Sequence, residues 1–270
     1  MKKLAYIFAF VLIFISISFS SSCNSDDINA NVVNSFVEND DQSEDSENSE
    51  NDDDNDSSGG NDESEDDNDT ETSFKILSLG DSYTIGQSVC ETCRFPEQLK
   101  AGLINNLENS SIGLQIIAQT GWTTTNLINA IETEDPSTNF DLVTLLIGVN
   151  NQYQGKPFSI YEQEFPELVN TAIEKANGDS ANVIVVSIPD YAFTPFGNGN
   201  ASISQEIDEY NDFAEDYCDL NGISYVYITD ITRNGLVNPE LVASDNLHPS
   251  ELAYSKFVER ILPYAIEKIQ

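Results

Sequence analysis

The stretch FDLVTLLIG, residues 140–148, has apolar side chains at almost every position instead of at every second one. A strand with one wet face alternates apolar and polar residues, so this one predicts burial on both faces, as in a parallel sheet covered by helices on either side. Four more runs read as strands: FKILSLG (74–80), LQIIAQ (114–119), NVIVVSIPD (182–190) and ISYVYI (223–228). Between them lie amphipathic patterns with helical spacing. Leu99, Leu103 and Leu107 form one stripe over 95–108, and Leu127, Ala130 and Ile131 another over 123–133. A third helix spans 159–177, with Pro166 as a place to bend, and a fourth spans 202–220 along Ile203, Ile207, Tyr210, Ala214 and Tyr217. A last helix is expected from Pro249, a residue favoured in the first turn, to about 268, with Pro263 as a kink. Alternating strands and helices predict an α/β fold of three layers around a central parallel sheet of about five strands.

Only residues 74–270 carry this pattern. From Asn24 to Ser73 the chain has 20 acidic residues and no Lys or Arg, with Asn, Ser and Gly filling most of the gaps. Such a tract has too little apolar surface to offset its ordering entropy, and its like charges repel. It reads as a disordered tether over 23–73, able to reach roughly 170 Å fully stretched. Before it stands MKKLAYIFAFVLIFISISFSSSC: two lysines, an apolar run and small residues. That order predicts a signal peptide over 1–22. The apolar run is short for a spanning helix, which needs about 20 residues. Cys23, after Ser21 and Ser22, resembles the lipidated cysteine of bacterial lipoproteins, although Ser20 stands where that motif usually has Leu. The resemblance implies export and a lipid anchor in the outer membrane or at the cell surface; ordinary cleavage and a secreted soluble chain is the alternative.

The domain of 197 residues carries a net charge of −18, which argues against a nucleic-acid partner. At that length it buries roughly 70% of its unfolded surface and needs no metal staple. Cys90 and Cys93, in VCETCR, can form a disulfide in an exported chain, and Cys218 falls on the apolar side of a helix as a core residue. Two cysteines without a second pair or a nearby His make a poor zinc site, so no metal is expected.

In parallel sheets, ligands sit beyond the carboxyl ends of the strands. GDSYT follows the first strand, QTGWTT the second and IGVNN the third, while DNLHP precedes the last helix. These segments offer the parts of an acyl-transfer site. Ser82 has a hydroxyl at the end of a buried strand, but a serine is a poor nucleophile until a base takes its proton. His248, the only histidine in the chain, is the side-chain type suited to that exchange near neutral pH. Asp245, three residues earlier, can accept the ring Nδ1–H and fix its tautomer. The backbone N–H groups of Ser82 and Gly121 and the carboxamide of Asn150 can donate to a developing oxyanion. Each residue alone has a plain structural explanation, as a cap, a turn or a surface group. The coincidence of all of them does not.

GDSY with Ser82, TGWT with Gly121, GVNN with Asn150 and DNLH with Asp245 and His248 occur in this order, and together they resemble the SGNH hydrolases, also called GDSL-type esterases and lipases. The resemblance covers nearly all of 74–270. It implies a flavodoxin-like three-layer fold, hydrolysis of carboxylic esters through an acyl-serine intermediate, and no cofactor. Tyr83 stands where the short name has Leu, and Asn151 where many members have Asp. Residue 84 is Thr, so the other serine-hydrolase signature, G-x-S-x-G, is absent around Ser82.

For a tethered surface enzyme, short acyl or O-acetyl-carbohydrate esters are the expected substrates, with Tyr153, Phe193 and Phe196 lining a sugar or acyl pocket. A lipase or lysophospholipase, an acyltransferase on the same fold, and a non-catalytic surface lipoprotein are the alternatives.

Overall fold

A computed structural model describes residues 72–270. The signal segment, Cys23 and the acidic tract up to residue 71 lie outside the described residues. The chain enters the sheet at β1 (Thr72–Gly80) and turns through a four-residue helix, α1 (Ser82–Ile85). It continues into α2 (Phe95–Asn106), β2 (Ser110–Ala118), α3 (Thr124–Glu134) and β3 (Leu142–Leu146). Then come α4 (Val149–Tyr153), α5 (Phe158–Lys175), β4 (Val183–Val186), α6 (Ala201–Asn221) and β5 (Ser224–Val226). A short α7 (Thr229–Thr232) and the long α8 (Glu251–Ile269) complete it.

The five strands are all parallel, in the order β2-β1-β3-β4-β5. This is the flavodoxin-like order, which reverses direction between β1 and β3. Right-handed crossovers then place the helices in two layers: α2 packs on α8, while α5 packs on α3 and on α6. As expected for the centre of a covered sheet, every residue of β3 is buried, as are the last five of β1. The α5–α6 seam is filled by rings, with Tyr161 against Phe165 and Tyr210, and Phe158 against Phe213. Cys218, fully buried on α6, is a core residue whose thiol burial pushes up to about 12.

Boundaries shifted where local chemistry outvoted the apolar pattern. β1 takes in Thr72 and Ser73, and β2 starts at Ser110, because the two pair in register from Thr72↔Ser110 to Gly80↔Ala118. Backbone pairing on this edge of the sheet recruits polar residues that hydropathy assigns to loops. β4 and β5 stop short of the expected ends: the Ser187 N–H still donates to the Val226 carbonyl, but past that bond the Ile228 and Thr229 N–H groups turn to the Ser187 hydroxyl instead of a backbone carbonyl. Pro249 does not open the last helix. Ser250 is its N-cap, accepting from the Ala253 N–H, and Pro249 bridges to Val242 just before it. Both α5 and α8 continue through their internal prolines. Among the described residues, no helix is long and apolar enough to cross a membrane.

Candidate active site

Ser82 is the first residue of α1, directly beyond β1, and is buried. Asp81 caps that helix, its Oδ1 accepting from the Tyr83 N–H at 3.0 Å. Its other oxygen accepts from Asn150 Nδ2 at 3.2 Å, which orients the Asn150 carboxamide beside Ser82. Asp81 is fully buried, and that burial pushes its carboxyl up to about 7 against the pull of Tyr83 and Asn150.

Asn150 itself sits on α4, a single helical turn directly after β3. Gly148 caps α4 at φ 130°, and a Cβ there would lie 2.6 Å from the Tyr161 ring, so only glycine lets the chain turn so tightly at the end of β3. Asn151 is fully buried and bonds Thr124 twice: its Oδ1 accepts from the Thr124 N–H and its Nδ2 donates to Oγ1. The carboxamide thus pins α4 to the start of α3. Gly121, at φ 85°, lies in the turn after β2, and its carbonyl accepts from Gln154 Nε2 at 2.8 Å. The Ser82 and Gly121 N–H groups have no acceptor among the described residues.

The turn before α8 is closed locally. Asp245 Oδ1 accepts from the N–H groups of Leu247 and His248, both at 3.0 Å, and Oδ2 lies 2.6 Å from His248 Nδ1. Oδ2 also accepts from the Ser88 hydroxyl at 2.6 Å. Partial burial works to raise the Asp245 carboxyl, but the bonds from Ser88, the His248 ring and the two N–H groups outweigh it and hold it well below the usual carboxylate range. The His248 ring packs 5.1 Å from that of Tyr83.

Ser82, Gly121, Asn150 and His248 line one cavity of about 190 Å³. No direct hydrogen bond joins Ser82 to His248 across it. Such contacts are commonly loose before substrate binds. Tyr153 and Phe196 stand at its mouth, each about half exposed. Phe193, expected beside them, does not line it. Residues 191–193 form a 3-10 turn of three residues per turn, so side chains two apart point in different directions. Tyr191 therefore faces the cavity, packed against Tyr153 and Phe196, while Phe193 turns away and its carbonyl lies against Gly235. Tyr191 is fixed by its hydroxyl, which donates to Gln152 Oε1 at 2.8 Å. The loop is tied down by the buried Asp190, which bonds Arg233 and the Ala192 N–H, and by the Phe196 N–H, which donates to the Asn246 carbonyl.

Sequence reasoning missed Asp81, Ser88 and Tyr191. Asp81 was visible in GDSY as the residue before the serine. Ser88 carried no signal, because its partner lies 157 positions away.

The profile of the GDSL-like Lipase/Acylhydrolase family matches residues 78–256. No curated protein sequence matches the chain. Solved structures similar in fold include the lipase/acylhydrolase from Enterococcus faecalis, 18% identical with a TM-score of 0.56, covering 73% of this chain and 97% of that one. An acetyl xylan esterase from Geobacillus stearothermophilus is 16% identical with a TM-score of 0.55, covering 73% and 97%. A GDSL-like lipase from Bacteroides thetaiotaomicron is 18% identical with a TM-score of 0.52, covering 73% and 89%. With the parallel sheet in flavodoxin-like order and the family pattern running through it, the chain belongs to the GDSL-like lipase/acylhydrolase family of carboxylic ester hydrolases.

Proposed function

We propose that Ser82 is the nucleophile of this hydrolase, His248 its general base and acid, and Asp245 the carboxylate that orients the ring. The supporting observation is that Ser82, Gly121, Asn150 and His248 line one cavity while Asp245 holds His248 Nδ1 from behind. Ser82 Oγ attacks the ester carbonyl as His248 Nε2 takes its proton. The oxyanion receives hydrogen bonds from the Ser82 and Gly121 N–H groups and from Asn150 Nδ2. His248 then returns the proton to the departing alcohol, leaving an acyl-Ser82. Water, deprotonated by the same nitrogen, releases the acid and restores the serine.

The substrate we favour is a short acyl or O-acetyl ester of a carbohydrate. The exposed rings of Tyr153 and Phe196 support it, because flat aromatic faces at a wet mouth suit a sugar ring. The acetyl xylan esterase of similar fold acts, by its name, on such an ester. Val149, Tyr191 and Leu247, deeper in the lining, favour a second reading, a longer acyl chain as in lipases. The location rests on sequence alone: a lipid on Cys23 and the acidic tether would hold the domain at the membrane and reach outward.

The test is hydrolysis of p-nitrophenyl esters of rising chain length and of acetylated glycans. Acetate and glycan turnover, lost on Ser82→Ala by roughly 10⁴-fold or more, is the expected result. Undiminished activity in Ser82→Ala overturns the mechanism, and a preference for long chains replaces the substrate. Metabolic labelling with a fatty-acid analogue, lost on Cys23→Ala, checks the anchor.

A further inference from the structure

We propose that Ser88 is a positioning residue for the acid–base pair, and that the loop from Gly86 to Cys90 clamps the separate pieces of the site together. This inference rests on the Ser82–Asp245–His248 reading above.

The loop touches three of the pieces. It leaves α1 through Gly86 and Gln87, whose N–H groups both donate to the Ser82 carbonyl. Gln87 Oε1 accepts from Thr120 Oγ1 at 2.6 Å, next to Gly121. Ser88 then donates its hydroxyl to Asp245 Oδ2, the oxygen facing His248 Nδ1. Among the described residues, Asp245 has four donors around two oxygens, and Ser88 is the only one of them outside its own turn. Beyond it, the turn is held to the nucleophile's side of the site by the packing of Tyr83 on His248 and, further along, by Gln98 Nε2, which donates to the carbonyls of Cys93 and Glu251.

Ser88 adopts φ 69°, a left-handed conformation that Asn, Asp and Gly take more readily. A serine kept there is explained by what its hydroxyl reaches. The loop is braced on its far side: the Val89 N–H donates to the Gly86 carbonyl, Cys90 is joined to Cys93, and Arg94, paired with Glu91 and Glu97, packs on Gly86. The Ser88 bond also heads the contacts that hold the Asp245 carboxyl low.

The experiment measures kcat and KM for p-nitrophenyl acetate from pH 5 to 9 in the full chain, for wild type, Ser88→Ala, Ser88→Gly and Ser82→Ala. Both Ser88 variants lose the hydroxyl, but glycine also relieves the positive φ. Each should lower kcat about tenfold, the scale of one hydrogen bond to a charged group, with KM within about twofold. The acid limb should move to higher pH, because a carboxylate relieved of one donor holds the protonated ring more strongly. The other titratable groups nearby, Asp81, Tyr83 and Tyr254, are unchanged in the variants, so their influence cancels against wild type. Ser88→Gly should unfold no earlier than wild type. Wild-type kcat and acid limb in both variants would overturn the proposal. So would a loss in Ser88→Ala that Ser88→Gly restores, since backbone strain would then be the cause. Activity surviving in Ser82→Ala would instead condemn the triad reading itself.

Discussion

Asp81 adjoins Ser82 at the end of β1, and Asp245 stands beside His248 in the turn before α8; their surroundings drive the two carboxyls in opposite directions. Asp81 is fully buried, with one N–H and one carboxamide for company, and burial lifts it to about 7. Asp245 keeps some solvent and gathers four donors, so its charge is favoured. The lesson is that proximity to a reacting group does not assign a role. A carboxyl that must stay ionised beside an imidazole needs donors and water, whereas one that only orients a neighbour can be sealed inside the sheet's edge.

Replacing each aspartate by asparagine separates the two roles. Asp245→Asn removes the charge opposite His248 and should cut kcat by about 10⁴-fold, as expected when the ring's orienting carboxylate is lost. Steady-state kinetics on p-nitrophenyl acetate check this. Asp81→Asn is milder: it sets its Nδ2 against either the Asn150 Nδ2 or the Tyr83 N–H and so disturbs the proposed oxyanion donor or the start of α1, for a loss of about 10²-fold.

Stability gives that comparison a sign. Asp81 titrates near 7 when folded against 3.8 for an ordinary aspartate, so the folded state holds its proton longer. The stability conferred by the protonated form is fully present below 3.8 and is lost as pH climbs through about 7. Above that pH the buried charge costs up to roughly 4 kcal/mol. Asp81→Asn escapes this cost, so its Tm relative to wild type should be higher at pH 8 than at pH 4 by scanning calorimetry. An equal offset at both pH values would refute the buried-charge account. Two asparagine variants with matching losses and matching pH profiles would erase the distinction between the aspartates.

The smallest effect belongs to the cavity mouth, which neither aspartate touches. Phe196→Ala should raise KM for an acetylated glycan by several-fold, the scale of one exposed aromatic contact, with kcat near wild type. A fall in kcat with KM unchanged would place Phe196 closer to the chemistry than the structure does.

Much of this molecule was legible in advance. The all-buried run of β3 and the stripes of the helices follow from hydropathy, since side-chain direction in a strand or helix repeats with a short, fixed period. Asp245 and His248 could be paired on paper because three residues in a turn bring two side chains together whatever the rest of the fold does. Gly121 and Asn150 were found as residues after strands, because the rim of a parallel sheet collects whatever follows its carboxyl ends.

Tertiary structure decided the rest. Whether the ring at position 191 or the one at 193 meets the cavity depended on a 3-10 turn fixed by Asp190 and Arg233, groups brought together by the end of β4 and the residues after α7. The start of β2 at Ser110 depended on a partner strand offering free backbone groups. Ser88 met Asp245 only because the loop after α1 and the turn before α8 arrive at the same place. Periodicity and local spacing are properties of neighbours along the chain, so sequence determines them. Burial and hydrogen-bond partners across many residues exist only once the sheet has closed the distance.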